Sequence, residues 1–164
     1  MAYTPIHDHV IPQAIADVST TQKLPLGTRV RAVDPTYGEG EFIYLKGGTN
    51  ITTGSWVTYN TDDGSTTALA ADAIGPVGVA MSALDASTKY GWFQIYGKVA
   101  YGLCLTSFAD NALVFITASV GYVDDTSVAG DLVNRAKGAS ASTARNAEFE
   151  IEYPFVNNNS NSGA

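Results

Sequence analysis

From Glu148 to Tyr153 the chain alternates strictly, with Glu148, Glu150 and Glu152 interleaved with Phe149, Ile151 and Tyr153. Successive side chains of an extended strand point to opposite faces, so this segment has one buried and one solvated face. Pro154 is expected to close it. The same grammar runs back through the chain. Glu41–Lys46 is a strand ended by Gly47-Gly48, and Ser55–Asn60 follows a Thr53-Gly54 turn. Asp62-Asp63-Gly64-Ser65 is a hairpin signal, because Asp-Gly tolerates the positive φ of tight turns. Thr66–Ala70 is the return strand. After Gly75-Pro76, the residues Val77, Val79 and Met81 alternate with Gly78, Ala80 and Ser82. Trp92–Val99 is the segment richest in aromatic and β-branched residues. Ala112–Ala118, Tyr122-Val123 and Leu132-Val133 read as further strands, and Gly138–Arg145 as a patternless small-residue loop.

Short strands joined by glycine-rich turns, with no long helical pattern, predict an all-β fold: a small antiparallel β-barrel or sandwich. Trp56, Val57, Val79, Trp92, Ile95, Phe149 and Ile151 are its expected core. Composition agrees. Charged residues are only 15% of the 164, and 17 Thr, 12 Ser and 9 Asn supply surface polarity instead. Thr fits pleated surfaces, whereas Glu, scarce here, favours helices.

Residues 1–36 read differently, as an extended N-terminal arm. Four of the six prolines fall in it, at Pro5, Pro12, Pro25 and Pro35. Each restricts its own φ and pushes the residue before it to extended geometry. Gln13–Gln22 could form a short helix, against which its β-branched residues and Ser/Thr weigh. Tyr3, Ile6, Val10, Ile11 and Ile15 are apolar, which a freely solvated tail does not need. Two readings follow: strand and loops packed on the chain's own domain, or an anchor that lies along a neighbouring subunit or partner. On the second reading Tyr3, Pro5, Ile6, Val10, Ile11, Pro12 and Ile15 make the contacts. The remaining divisions are a β-domain over 37–156 and a disordered polar tail over 157–164.

The net charge of −7 and the scatter of nine basic residues argue against nucleic-acid binding and against anionic membranes. No apolar run is long enough for a membrane span, and no charged start leads into an apolar stretch, so no signal peptide is expected. A single Cys excludes an intramolecular disulfide. Cys104 lies among apolar neighbours with no His near it in sequence, so it reads as a small hydrophobe rather than a nucleophile. There is no G-x-S-x-G, P-loop, dinucleotide fingerprint or zinc spacing. Asp62-Asp63-Gly64 lacks calcium-loop spacing, and Glu148, Glu150 and Glu152 read as a solvated face. His7 and His9 project to one side of an extended chain. Alone they supply too few ligands, whereas three copies around a symmetry axis would offer six nitrogens to a metal. Trp56, Tyr59, Trp92 and Tyr96 are either core residues or a sugar-binding face. No cofactor is expected.

Three stretches together resemble the capsid decoration, or head cement, proteins of tailed bacteriophages. They are Gly75–Ala80 with Ala83–Ser87, the Tyr90-Gly91-Trp92-Phe93-Gln94-Ile95-Tyr96-Gly97 strand, and the closing Glu150–Val156. The resemblance covers roughly residues 28–156. It implies a non-enzymatic structural virion protein on the outer surface of the capsid, stabilising contacts between major capsid protein subunits. It also implies a homo-oligomer, such proteins often being trimers. The alternative is a carbohydrate- or receptor-binding β-module of a tail fibre or cell surface.

Overall fold

The computed structural model describes residues 4–5 and 11–158. Among them no helix forms. Eleven strands make one antiparallel sheet: β1 (Thr4–Pro5), β2 (Arg29–Asp34), β3 (Gly38–Lys46), β4 (Trp56–Tyr59), β5 (Thr66–Ala68), β6 (Ile74–Ala80), β7 (Tyr90–Leu103), β8 (Leu113–Ile116), β9 (Val123–Asp124), β10 (Leu132–Gly138) and β11 (Asn146–Asn157). The order is β1-β2-β3-β7-β6-β11-β10-β8-β9, with β4 and β5 branching from β6. This is the expected all-β architecture, folded over itself in sandwich fashion rather than closed into a barrel.

Three apolar clusters explain the folding over. Trp56, Val79, Val99, Phe149, Ile151 and Val156 belong to the largest. Val57, Ala80, Phe93 and Ile95 belong to the second. Successive residues of β4 and of β6 thus enter different clusters, so the β4–β6 pair is a wall with a core on each side. All seven residues expected in the core are buried.

The third cluster lies on the opposite face of β3 and β7. Phe42, Tyr44, Trp92, Ala32, Met81 and Ile15 form it, with Ile11, Leu24, Leu26 and Val30 packed against it. Here the boundary at residue 36 gives way. It falls inside a hairpin, because β2 pairs with β3 from Arg29↔Ile43 to Asp34↔Gly38. Residues 11–28 are the lid on this cluster. Gln13 anchors it: the Tyr44 hydroxyl donates to Gln13 Oε1 (2.8 Å), and Trp92 Nε1 donates to the Gln13 carbonyl (3.0 Å). Gln13 Nε2 donates to the carbonyls of Tyr90 and Asp17. Ser19 then exchanges two backbone hydrogen bonds with Tyr90. An indole N–H and a phenol buried this deeply need partners, and one glutamine serves both.

Ile15 is only 4% exposed. Placed by the anchor reading among the contacts to another molecule, it is a core residue of its own chain. The segment is not extended throughout: it turns at Ala14–Asp17 and again at Pro25–Thr28, which folds it down over the cluster. Ile15→Ala should lower stability by about 2–5 kcal/mol in urea unfolding. Deletion of residues 1–20 should strip the cover from Trp92 and Tyr44 and lower the thermal transition of the whole domain. An unchanged transition would return the segment to the role of a detachable arm.

Candidate interaction surface

The stretches that carry the family resemblance meet in space. β7 uses one edge for two partners: Val79 and Ala80 of β6 pair with Gln94 and Phe93, and from Tyr96 onward the same edge pairs with β11, Glu152↔Tyr96 through Asn146↔Leu103. The far end of β11 then pairs with the start of β6, Phe155↔Pro76 to Asn157↔Ile74. β6, β7 and β11 are therefore mutually paired around a fork.

Local chemistry builds the fork. Gly97 has φ of 97°, and a Cβ there would overlap the Glu39 carbonyl oxygen. No other residue type satisfies both demands. The fully buried Gln94 spans this kink, its Nε2 donating to the carbonyls of Tyr96 (3.1 Å) and Lys98 (3.2 Å). On β11 the corresponding break is Tyr153, left-handed at φ 51°. It inverts the alternation: Ile151 is buried, Tyr153 is 37% exposed, and Pro154 and Val156 are buried. Tyr153, expected inside, is therefore on the surface. Pro154 does not close the strand either, because β11 continues to Asn157. The proline sits between the last pair with β7 and the first with β6, where its missing N–H breaks no ladder pair with either strand.

Around the fork the surface is charged and aromatic. The Tyr153 hydroxyl donates to Glu41 Oε2 (2.7 Å), and its ring lies 5.4 Å from that of Tyr96. Arg31 bridges Glu39 (3.0 Å) and Glu41 (3.4 Å), and Arg29 lies 3.7 Å from Glu41. The glutamates of β11 face solvent as expected, two of them in cross-strand pairs: Lys98–Glu148 (2.6 Å) and Lys137–Glu150 (3.2 Å). The bond to Glu148 raises the Lys98 ammonium above its ordinary value. Arg135 and Glu152 line the same groove, with Lys98, Lys137 and Tyr96 beside them.

The other candidates resolve individually. Trp56 and Trp92 have no exposed surface and Tyr59 is buried, so they form no sugar-binding face. Trp56 packs edge-on against Phe149 at 5.0 Å. Asp62 and Asp63 sit in the β4–β5 turn, where Asp63 accepts from the Ser65 amide and hydroxyl. Asp125 accepts from the Ala109 amide. Among the described residues no group of three or more side chains of metal-ligand type comes together. Tyr3, Ile6, His7, His9 and Val10 lie outside the described residues. Pro5 pairs with Ala32 in β1, Ile11 is half-buried, and Pro12 is exposed. The left-handed turns of β7 and β11 are what sequence reasoning missed. Gly97 was the one visible signal, and nothing in the pattern marks Tyr153 or Arg135.

No family model, no curated protein and no solved structure matches this chain.

Cys104 is fully buried, and burial, with Asp124 and Asp125 adding to it, pushes its thiol up to about 11. It should resist an aromatic disulfide reagent at about pH 8 while folded and react once unfolded in guanidinium; rapid labelling of the folded protein would contradict this placement. Tyr153 gives a second test. Its bond to the Glu41 carboxylate raises the phenol above its ordinary value, against the opposing pull of Arg31. A raised pKa stabilises the fold fully below the unfolded value of about 10 and progressively less as pH climbs through the folded one. Unfolding midpoints of the wild type and Tyr153→Phe should therefore differ at neutral pH and converge in alkali.

Proposed function

We propose that this protein is a structural virion component of a tailed bacteriophage that binds the outer surface of the head and ties neighbouring major capsid protein subunits together. It acts without catalysis. The observation that carries this reading is the convergence of the three resemblance-bearing stretches on β6, β7 and β11, the mutually paired strands of the fork. Motifs scattered over unrelated loops would carry far less. The acidic surface, net charge −7, supports an outward position, since a protein lining packaged DNA gains from basic residues.

The anchoring role proposed for the N-terminal segment narrows to Tyr3, Ile6 and Val10 as its apolar contacts, without Thr4–Pro5, which pairs with β2. Residues 11–28 are committed to the third core cluster. Several such anchors on one oligomer add through high effective concentration. The carbohydrate-binding alternative loses its main residue basis with the burial of Trp56 and Trp92.

Purified protein should co-sediment saturably with expanded heads lacking it and raise their resistance to heat or to loss of divalent cations. Binding to unexpanded heads should be weak. Absence of binding to expanded heads, or specific retention on a glycan array instead, would overturn the proposal.

A further inference from the structure

The outer face of β10 and β11 carries charged side chains beside exposed apolar ones and has no cover within the described chain. Its inner face is settled: Val133 and Ala136 of β10 and Ile151 and Val156 of β11 all enter the largest core cluster. Arg135, Glu152 and Phe155 therefore point outward. Phe155 is 43% exposed. Beside it Pro76 is its pairing partner on β6, and Ile74, two residues earlier, is 67% exposed. On the other side a groove of about 310 Å³ continues the face, lined in part by Val128, Leu132, Asn134 and Asn157. Exposed apolar residues in a contiguous group mark contact surfaces, whereas isolated ones do not.

The charges identify the occupant. Among the described residues Arg29 and Arg31 pair with Glu41, and Arg145 lies over the Tyr122 ring at 4.4 Å. Lys137 and Glu150 pair with each other. Arg135 and Glu152 share the groove and make no ion pair, either with each other or with another described residue. Arg135 is also held left-handed, at φ 61°, a conformation that a non-glycine residue adopts at a cost. One patch thus presents an open cation, an open anion and exposed apolar side chains. A patch carrying both members of a charge pair is self-complementary, as a two-fold contact requires.

We propose that this face binds the same face of a second copy of the chain about a two-fold axis. Arg135 of each copy meets Glu152 of the other, and the two Phe155 rings are buried between them. Each chain carries −7, so the copies repel at long range; salt screens that repulsion beyond about 8 Å, whereas the two close pairs form inside that distance. The proposal does not depend on head binding, because the partner is the chain itself.

Light scattering and sedimentation velocity on the full chain at micromolar concentration test it without heads. The wild type should have the mass of two copies. Arg135→Glu and Glu152→Arg should each weaken the dimer by about tenfold or more, as charge reversal places like charges opposite each other. The double exchange R135E/E152R should restore it to within about threefold of the wild type. Phe155→Asp should give a monomer with the circular dichroism of the wild type and a thermal transition that, unlike that of the wild type, does not rise with protein concentration. A monomeric wild type, a three-copy mass, or a double exchange that fails to restore association would each overturn the proposal. None of these results bears on sedimentation with heads, so the two readings fail separately.

Discussion

β7 is buried on both faces, and the rest of the molecule follows from that constraint. Phe93 and Ile95 enter one core cluster while Trp92 enters another. A strand of an antiparallel sheet ordinarily needs one covering layer, and this one needs two. The β4–β6 branch covers one side, and residues 11–28 cover the other. The second cover has no regular structure. Its value lies in apolar area and in the hydrogen bonds that Gln13 returns to Tyr44 and Trp92. Without it, two large aromatic side chains with polar tips would face water on a face that also carries Phe42.

The second organising feature is the fork at the end of this doubly covered stretch. A flat sheet cannot give one edge of β7 to β6 and then to β11. The handover needs a sharp local rotation in each long strand, supplied by Gly97 and Tyr153 in left-handed conformations. At Tyr153 this coincides with a register shift between β10 and β11, and such a bulge re-aims side chains. At Tyr153 the rotation brings the phenol out to Glu41, linking β11 to the β2–β3 hairpin. It also leaves Glu152 and Phe155 on one outer surface, next to Arg135. Strain at the fork and openness of the surface beside it therefore share an origin.

The chemistry-bearing residues show how context decides a role. The Glu148, Glu150, Glu152 series reads the same in sequence and in structure, yet two of the three are spent on lysines of adjacent strands and one is left open. Cys104 has apolar neighbours in sequence, and the carboxylates of Asp124 and Asp125 reach it only through folding. Trp56 and Trp92 illustrate the opposite outcome. Their place in strands with strong β preference already pointed to the core, and both are fully buried.

Local pattern determined the strands of this protein. Period-two alternation and glycine-rich turns are properties of a few neighbouring residues, so β3, β4, β6, β7 and β11 and their core residues were legible from the chain alone. The Asp63-Gly64 turn was legible for the same reason. Partnership was not. Residues 11–28 carry apolar side chains between prolines, a pattern equally suited to covering another molecule or its own sheet; only the apolar face of β3 and β7 that needs a cover decided for the second. Arg29–Asp34 hid in that stretch because a strand whose partner lies across a turn looks like any extended segment. The positions of Tyr153, Pro154 and Arg135 were likewise beyond the sequence. The alternation of β11 predicts its inward face only while one neighbour is kept, and a change of neighbour halfway along a strand is set by the packing of three strands at once, not by the residues of any one of them.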